Sequence, residues 1–174
     1  MAIRSVALAG MISDTSLYNI DGACVVGGAA PIPAGTVVKF TTAQPIEGHK
    51  TVEAGGITAG NSLGVVVRSH YDTPDGTARV NEAVNVMTHG RIWVRTTLAA
   101  APVFGSKVFV NESGVVVAEA PGTTWDTGFT FAGGYASAYA GGSNPIKQGE
   151  SVDGALVEVQ LIQSAGPAVA AAGA

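Results

Sequence analysis

Residues 84–95 read VNVMTHGRIWVR. Successive residues of a strand point to opposite faces. Val84, Val86, Thr88, Gly90, Ile92 and Val94 therefore share one side, and Asn85, Met87, His89, Arg91, Trp93 and Arg95 the other. The first side suits a core. The second is polar except for Met87 and a Trp set between two arginines. Alternation of this kind belongs to an antiparallel sheet with one wet face. Gly90 marks an expected bulge or close backbone approach.

Outward from this strand the pattern repeats. Runs rich in Val, Ile, Thr and Phe are cut by Gly, Pro, Asn and Asp, which predicts strands at Ala23–Val26, Thr36–Phe40, Leu63–Val67, Lys107–Val110, Val115–Glu119, Phe129–Phe131 and Ala155–Ile162. AAPIPAG, TPDG, NESG and APGTT supply turn chemistry between them. No stretch sustains the i, i+3, i+4, i+7 spacing of an amphipathic helix. The fold class expected is all-β, a jelly roll or a small barrel or sandwich of antiparallel strands. An arm over 1–28, a β domain over 29–162 and an Ala-rich tail over 163–174 make up the expected organisation. Val115–Val117 is a continuous apolar triplet, expected to be covered on both faces. Gly133–Pro145, with Tyr135 and Tyr139, reads as a long Gly-rich loop.

Composition narrows the function classes. The 174 residues carry 13% charged side chains, about half the usual share, and a mean hydropathy of +0.32. Much of the apolar surface is therefore expected to be covered by other subunits. A net charge of −4 without a basic cluster argues against nucleic acid. No apolar run approaches the ~18 residues of a membrane span, and the first residues lack the apolar length of a signal peptide. The single Cys24 rules out an internal disulfide and reads as a small buried residue.

Catalytic and metal motifs are missing from the sequence. His49, His70 and His89 stand about twenty residues apart without the close ligand pairs of a zinc site. GGITAGNSLG is Gly-rich but lacks the Lys-Ser/Thr of a phosphate loop. There is no G-x-S-x-G elbow, and Asp72 and Asp75 in HYDTPDGT read as turn carboxylates. These observations predict no enzyme, no cofactor and no metal. A glycan-binding or adhesin-like β module is the alternative, with Trp93, Trp125, Tyr135 and Tyr139 as stacking platforms.

The order of PAGTVVKF (33–40), SLGVVVR (62–68), VNVMTHGRIWV (84–94), APVFGSKVFV (101–110), Gly114–Val117 and ALVEVQL (155–161) resembles that of the cement, or decoration, proteins of tailed-bacteriophage heads. The segment through Gly28 and the Ala-rich tail depart from that pattern. The resemblance implies a β-rich body on the outside of an assembled head, with the major capsid protein as partner and dimers or trimers at symmetry axes. It also implies a virion location after assembly in the bacterial host cytoplasm, and carries no catalytic residues. Arg91, Trp93, Arg95, Trp125, Tyr135 and Tyr139 are the expected interface residues, because Trp, Tyr and Arg are enriched at binding hot spots.

Overall fold

β7 (Ala83–Arg95) lies between two separate cores and links the two parts of one continuous sheet that enclose them. The computed structural model describes residues 7–69, 76–141, 149–162 and 168–171. Among these there is no helix. The other strands, in chain order, are β1 (Ile12–Val26), β2 (Ile32–Pro33), β3 (Val37–Ile46), β4 (His49–Glu53), β5 (Leu63–Val66) and β6 (Thr77–Ala78) before β7. After it come β8 (Lys107–Val110), β9 (Val116–Val117), β10 (Trp125–Ala138), β11 (Glu150–Ser151), β12 (Leu156–Leu161) and β13 (Val169–Ala170).

β1, β4, β3, β5 and the first half of β7 close into a small barrel. The ring runs through Val26↔Val52, Phe40↔Val52, Val37↔Val65, Val66↔Val86 and Cys24↔Val84. A five-stranded barrel leaves room only for small side chains. Cys24, Val26, Val38, Val52, Val66, Val84 and Val86 fill it, with Ile32 and Ala78 from the short β2–β6 ladder. The expected all-β barrel is present. It is mixed rather than purely antiparallel, because β1 and β4 pair in parallel; outside the barrel β10 and β11 do so too.

From the second half of β7 the same sheet continues beyond the barrel in the order β7-β12-β10-β8-β9. Its core holds Ile92, Val94, Val108, Val110, Val116, Phe129, Phe131, Val157, Val159 and Leu161. The wall between the cores is β3, β5 and the start of β7. There Val37, Val65 and Met87 enter one core while Val38, Val66 and Val86 enter the other. A strand covered on both faces reads as an unbroken apolar run, which is the reason for VV at 37–38 and VVV at 65–67.

This arrangement corrects the single-face reading of β7. Val84 and Val86 face the barrel, whereas Ile92 and Val94 face the second core together with Met87, which is fully buried. The change of parity falls at the bulged stretch against β1, where the register shifts between Asn19↔His89 and Ile20↔Met87 and again before Asp14↔Arg91. Gly90, at φ +114, makes it possible: a Cβ there would stand 2.8 Å from Tyr18 Cβ and 3.1 Å from the Leu17 carbonyl oxygen.

Other sequence expectations change as well. Within 1–28, residues 12–26 form β1, whose barrel pairing hides behind the polar ISDTSLYNIDG because its bulges break the alternation. Gly133–Ala138 belong to β10, with a register shift between Phe131 and Tyr135 that the glycines accommodate. Residues 142–145 of that expected loop, and His70, Asp72 and Asp75, lie outside the described residues. So do 163–167 and 172–174 of the tail, although Val169 and Ala170 pair with Asp126 and Trp125. The triplet 115–117 is covered on one face only: Val116 is buried and Val115 and Val117 are half-buried, because β9 borders the sheet.

Candidate functional site

The three residues expected as an interface on β7 lie along β12, where Arg91 pairs with Gln160, Trp93 with Glu158 and Arg95 with Leu156. Each also serves its own chain. Arg91 Nε donates to Gln160 Oε1 at 2.9 Å. Half-buried Trp93 packs against the buried cluster of Ala9, Ala136 and Leu156. It also lies over Gly134, where a Cβ would stand 2.6 Å from the Trp93 Cη2 atom.

Arg95 belongs to a polar knot. Its Nε donates to the Ala34 carbonyl at 2.9 Å and its Nη1 to the Asp153 carbonyl at 2.6 Å. The Asp153 carboxylate accepts from Arg68 Nη2 at 2.5 Å and from the Ala9 N–H at 2.9 Å. Arg68 Nε in turn donates to the Ala9 carbonyl at 3.0 Å. Burial pulls the Arg95 pKa down; the Asp153 charge works against this and the Arg68 charge with it. The knot fastens residues 7–10 and the turn before β12 to the barrel. Its chemistry is that of a structural ion pair.

The remaining rings do not gather into one platform. Tyr135 pairs with Val157, the neighbour of Glu158, so it faces opposite to Trp93. It packs on the second core while its hydroxyl donates to the Leu98 carbonyl at 3.1 Å. Trp125 packs against the same core at the other end of β10. Half-buried Tyr139 follows β10, its N–H bonded to the Ser151 carbonyl at 2.9 Å.

Among the described residues no group of three or more His, Cys, Asp or Glu side chains is placed to hold a metal. His49 is exposed on β4 and His89 half-buried on β7. A groove of about 480 Å³ beside the barrel includes Asn19, Asp21, Lys50, Thr88, Phe40 and Phe129 in its lining. Its polar groups are engaged with each other. Lys50 pairs with Asp21, and Asn19 Nδ2 donates to Thr88 Oγ1 at 3.2 Å.

Exposed apolar side chains on β1 and on the turn before β8 were not foreseen from the sequence. Leu17 is 71% exposed and Tyr18 47%, in the stretch where the β1 register skips from Asp14 to Asn19. The Asp14 carboxylate accepts the Ser16 N–H at 2.8 Å there, and bonds from Ser16 hold its pKa below the ordinary value. Val103 and Phe104 are 76% and 69% exposed in the turn before β8. The signal was APVFG, an apolar pair between Pro and Gly.

Comparison with known proteins gives these surfaces a context. The family model described as "Structural cement protein (E217 gp24/Pam3 gp6)" matches residues 2–162. The chain belongs to the phage structural cement proteins. No curated protein matches it. Among solved structures, a chain in "The capsid of Myoviridae Phage XM1" shares the fold, with a TM-score of 0.61 at 16% identity over 92% of this chain and 93% of that one.

A cement protein is a structural component of the virion capsid, not an enzyme. In this cement protein the partly buried Arg68–Asp153 ion pair fastens segments of its own chain.

Proposed function

We propose that this cement protein binds the outer surface of the assembled head and holds neighbouring major capsid protein subunits together, as a homo-oligomer of two or three chains. It joins the head in the cytoplasm of the bacterial host. The observation that carries this reading, beside family membership, is the placement of the exposed Val103 and Phe104 on a turn whose flanks are hydrogen-bonded to β9 and β10. Rigid presentation reduces the ordering entropy lost on binding, and repetition over a lattice multiplies a modest single-site affinity. The outward side of β7, with Arg91, Trp93 and Arg95, is part of the proposed contact zone, together with the half-buried Trp125, Tyr135 and Tyr139.

Electron microscopy of heads assembled with and without the protein tests partner, location and stoichiometry together. Ordered density outside the shell, bridging capsid subunits, is the expected result. Equal affinity for unassembled subunits and for shells would overturn it. Trp93 fluorescence that does not change on shell binding would remove the β7 face from the contact zone.

A further inference from the structure

From Thr96 to Ser106 the chain reads TTLAAAPVFGS, eleven positions without an ionisable side chain. Ala99, Ala100, Ala101, Val103, Phe104 and Gly105 are all exposed. In a soluble chain such a stretch is normally folded inward. Here it is clamped outward at both ends. On one side the Thr97 N–H donates to the Val116 carbonyl at 3.0 Å and the Leu98 N–H to Thr96 Oγ1 at 3.0 Å. Leu98 packs against the second core. On the other, the Gly105 N–H donates to the Phe131 carbonyl at 2.8 Å and the Phe131 N–H to the Ser106 carbonyl at 2.9 Å. The turn itself is closed by Ser106, whose Oγ donates to the Val103 carbonyl at 2.6 Å. The Phe104 ring edge lies beside Gly133, where a Cβ would come to 3.3 Å of its Cδ2.

We infer that Val103 and Phe104 form an anchor that enters an apolar, uncharged pocket on the assembled capsid shell. The inference rests on the cement reading above and names its contact. Area selects the occupant. With a Phe side chain offering about 200 Å², the two exposed residues present on the order of 250 Å². A second copy docked through the same turn would bury roughly 500 Å² in all, well below the ~1,200 Å² of a stable specific pair. A contact this small holds when it is repeated over a lattice that also engages the molecule elsewhere. The lack of charge over eleven residues sets the chemistry of the pocket and makes the contact insensitive to salt.

The test is sedimentation of the protein with shells assembled in its absence. Wild type is compared with the double variant Val103→Ser/Phe104→Ser and with Leu17→Ser, which removes a similarly exposed apolar group on β1. The double variant is expected to bind about tenfold more weakly or worse. Leu17→Ser should stay within about twofold, and the fold-loss caused by the double variant should agree within about threefold between roughly 0.05 and 0.5 M NaCl. Unchanged circular dichroism and melting of the variants confirm that only surface was altered. Wild type failing to bind shells would overturn the cement reading itself. A double variant that binds like wild type, or Leu17→Ser losing as much as it does, would overturn the anchor alone. So would a double variant that loses self-association in solution while still coating shells, since the occupant would then be a second copy.

Discussion

Gly114 closes the NESG turn between β8 and β9, and replacing it with Ala tests the packing of that turn on β3 at one atom. Two separate demands fall on this residue. Its φ is +77, a conformation that costs an L-residue about 1–2 kcal/mol. A Cβ there would also clash with the Val37 carbonyl oxygen, well inside van der Waals contact, and stand 3.0 Å from the carbonyl carbon and 3.1 Å from Thr36 Cγ2. To make room, β3 must retreat by roughly an ångström. That would break the 2.9 Å bond from the Val37 N–H to the Gly114 carbonyl, at about 1–3 kcal/mol for a buried group. It would also disturb Val37, which is 1% exposed in the second core. The sum for Gly114→Ala is about 2–5 kcal/mol. Gly122→Ala is the control, because φ is again +77 but nothing lies within 4 Å of the added Cβ; its expected cost is about 1 kcal/mol. Urea unfolding of both variants, with m unchanged, measures the difference. At this chain length it should appear as a melting gap of roughly 10 °C. If the two variants are equally stable within about 0.5 kcal/mol, the close approach of the turn to β3 is wrong.

Asp153→Ala should destabilise by about 2–3 kcal/mol, since it strips a largely buried ion pair from Arg68 and a bond from the Ala9 N–H. Hydrogen exchange should speed up at Ala9 and Gly10, and protection left intact there would show that the knot does not hold this segment. Met87→Ala removes a fully buried side chain from the second core and should cost about 3 kcal/mol. A loss near that of an exposed position such as Val169 would contradict its assignment. Cys24 is buried in the barrel, and burial first, then the Asp21 charge, pushes its thiol up to about 11. It should resist alkylation at pH 8 until the protein unfolds. Because the folded value exceeds the ordinary 9.0, the unfolded thiol ionises first. This contribution to stability is therefore complete below about pH 9 and is lost between there and about 11. Native-state labelling as fast as that of a free thiol would refute the closed barrel around it.

The sequence determined what depends on local chemistry. VNVMTHGRIWVR is a strand because its residues are β-branched, aromatic or alternating, and NESG is a turn because Asn111 and Gly114 satisfy one locally. Asn111 Oδ1 accepts the Ser113 N–H at 3.0 Å and the Val115 N–H at 3.1 Å. The order of such segments was enough to point to the cement family and to exclude recognisable catalytic motifs. β1 was legible only over its last four residues, where Cys24, Val25 and Val26 are buried. Further back, four register shifts take its side chains out of period. Whether Arg95 faces a partner or its own Asp153 depends on residues 58 positions apart, a separation that no periodicity encodes. The same holds for the two cores. An even-numbered valine at 86 and another at 94 look equivalent in the sequence. Only the bulge beside Gly90, forced by Tyr18 crossing above it, sends one into the barrel and the other into the second core. Exposure of Val103 and Phe104 was decided in the same way. APVFG is as apolar as any core segment, and it points outward because β9 and β10 hold both of its ends.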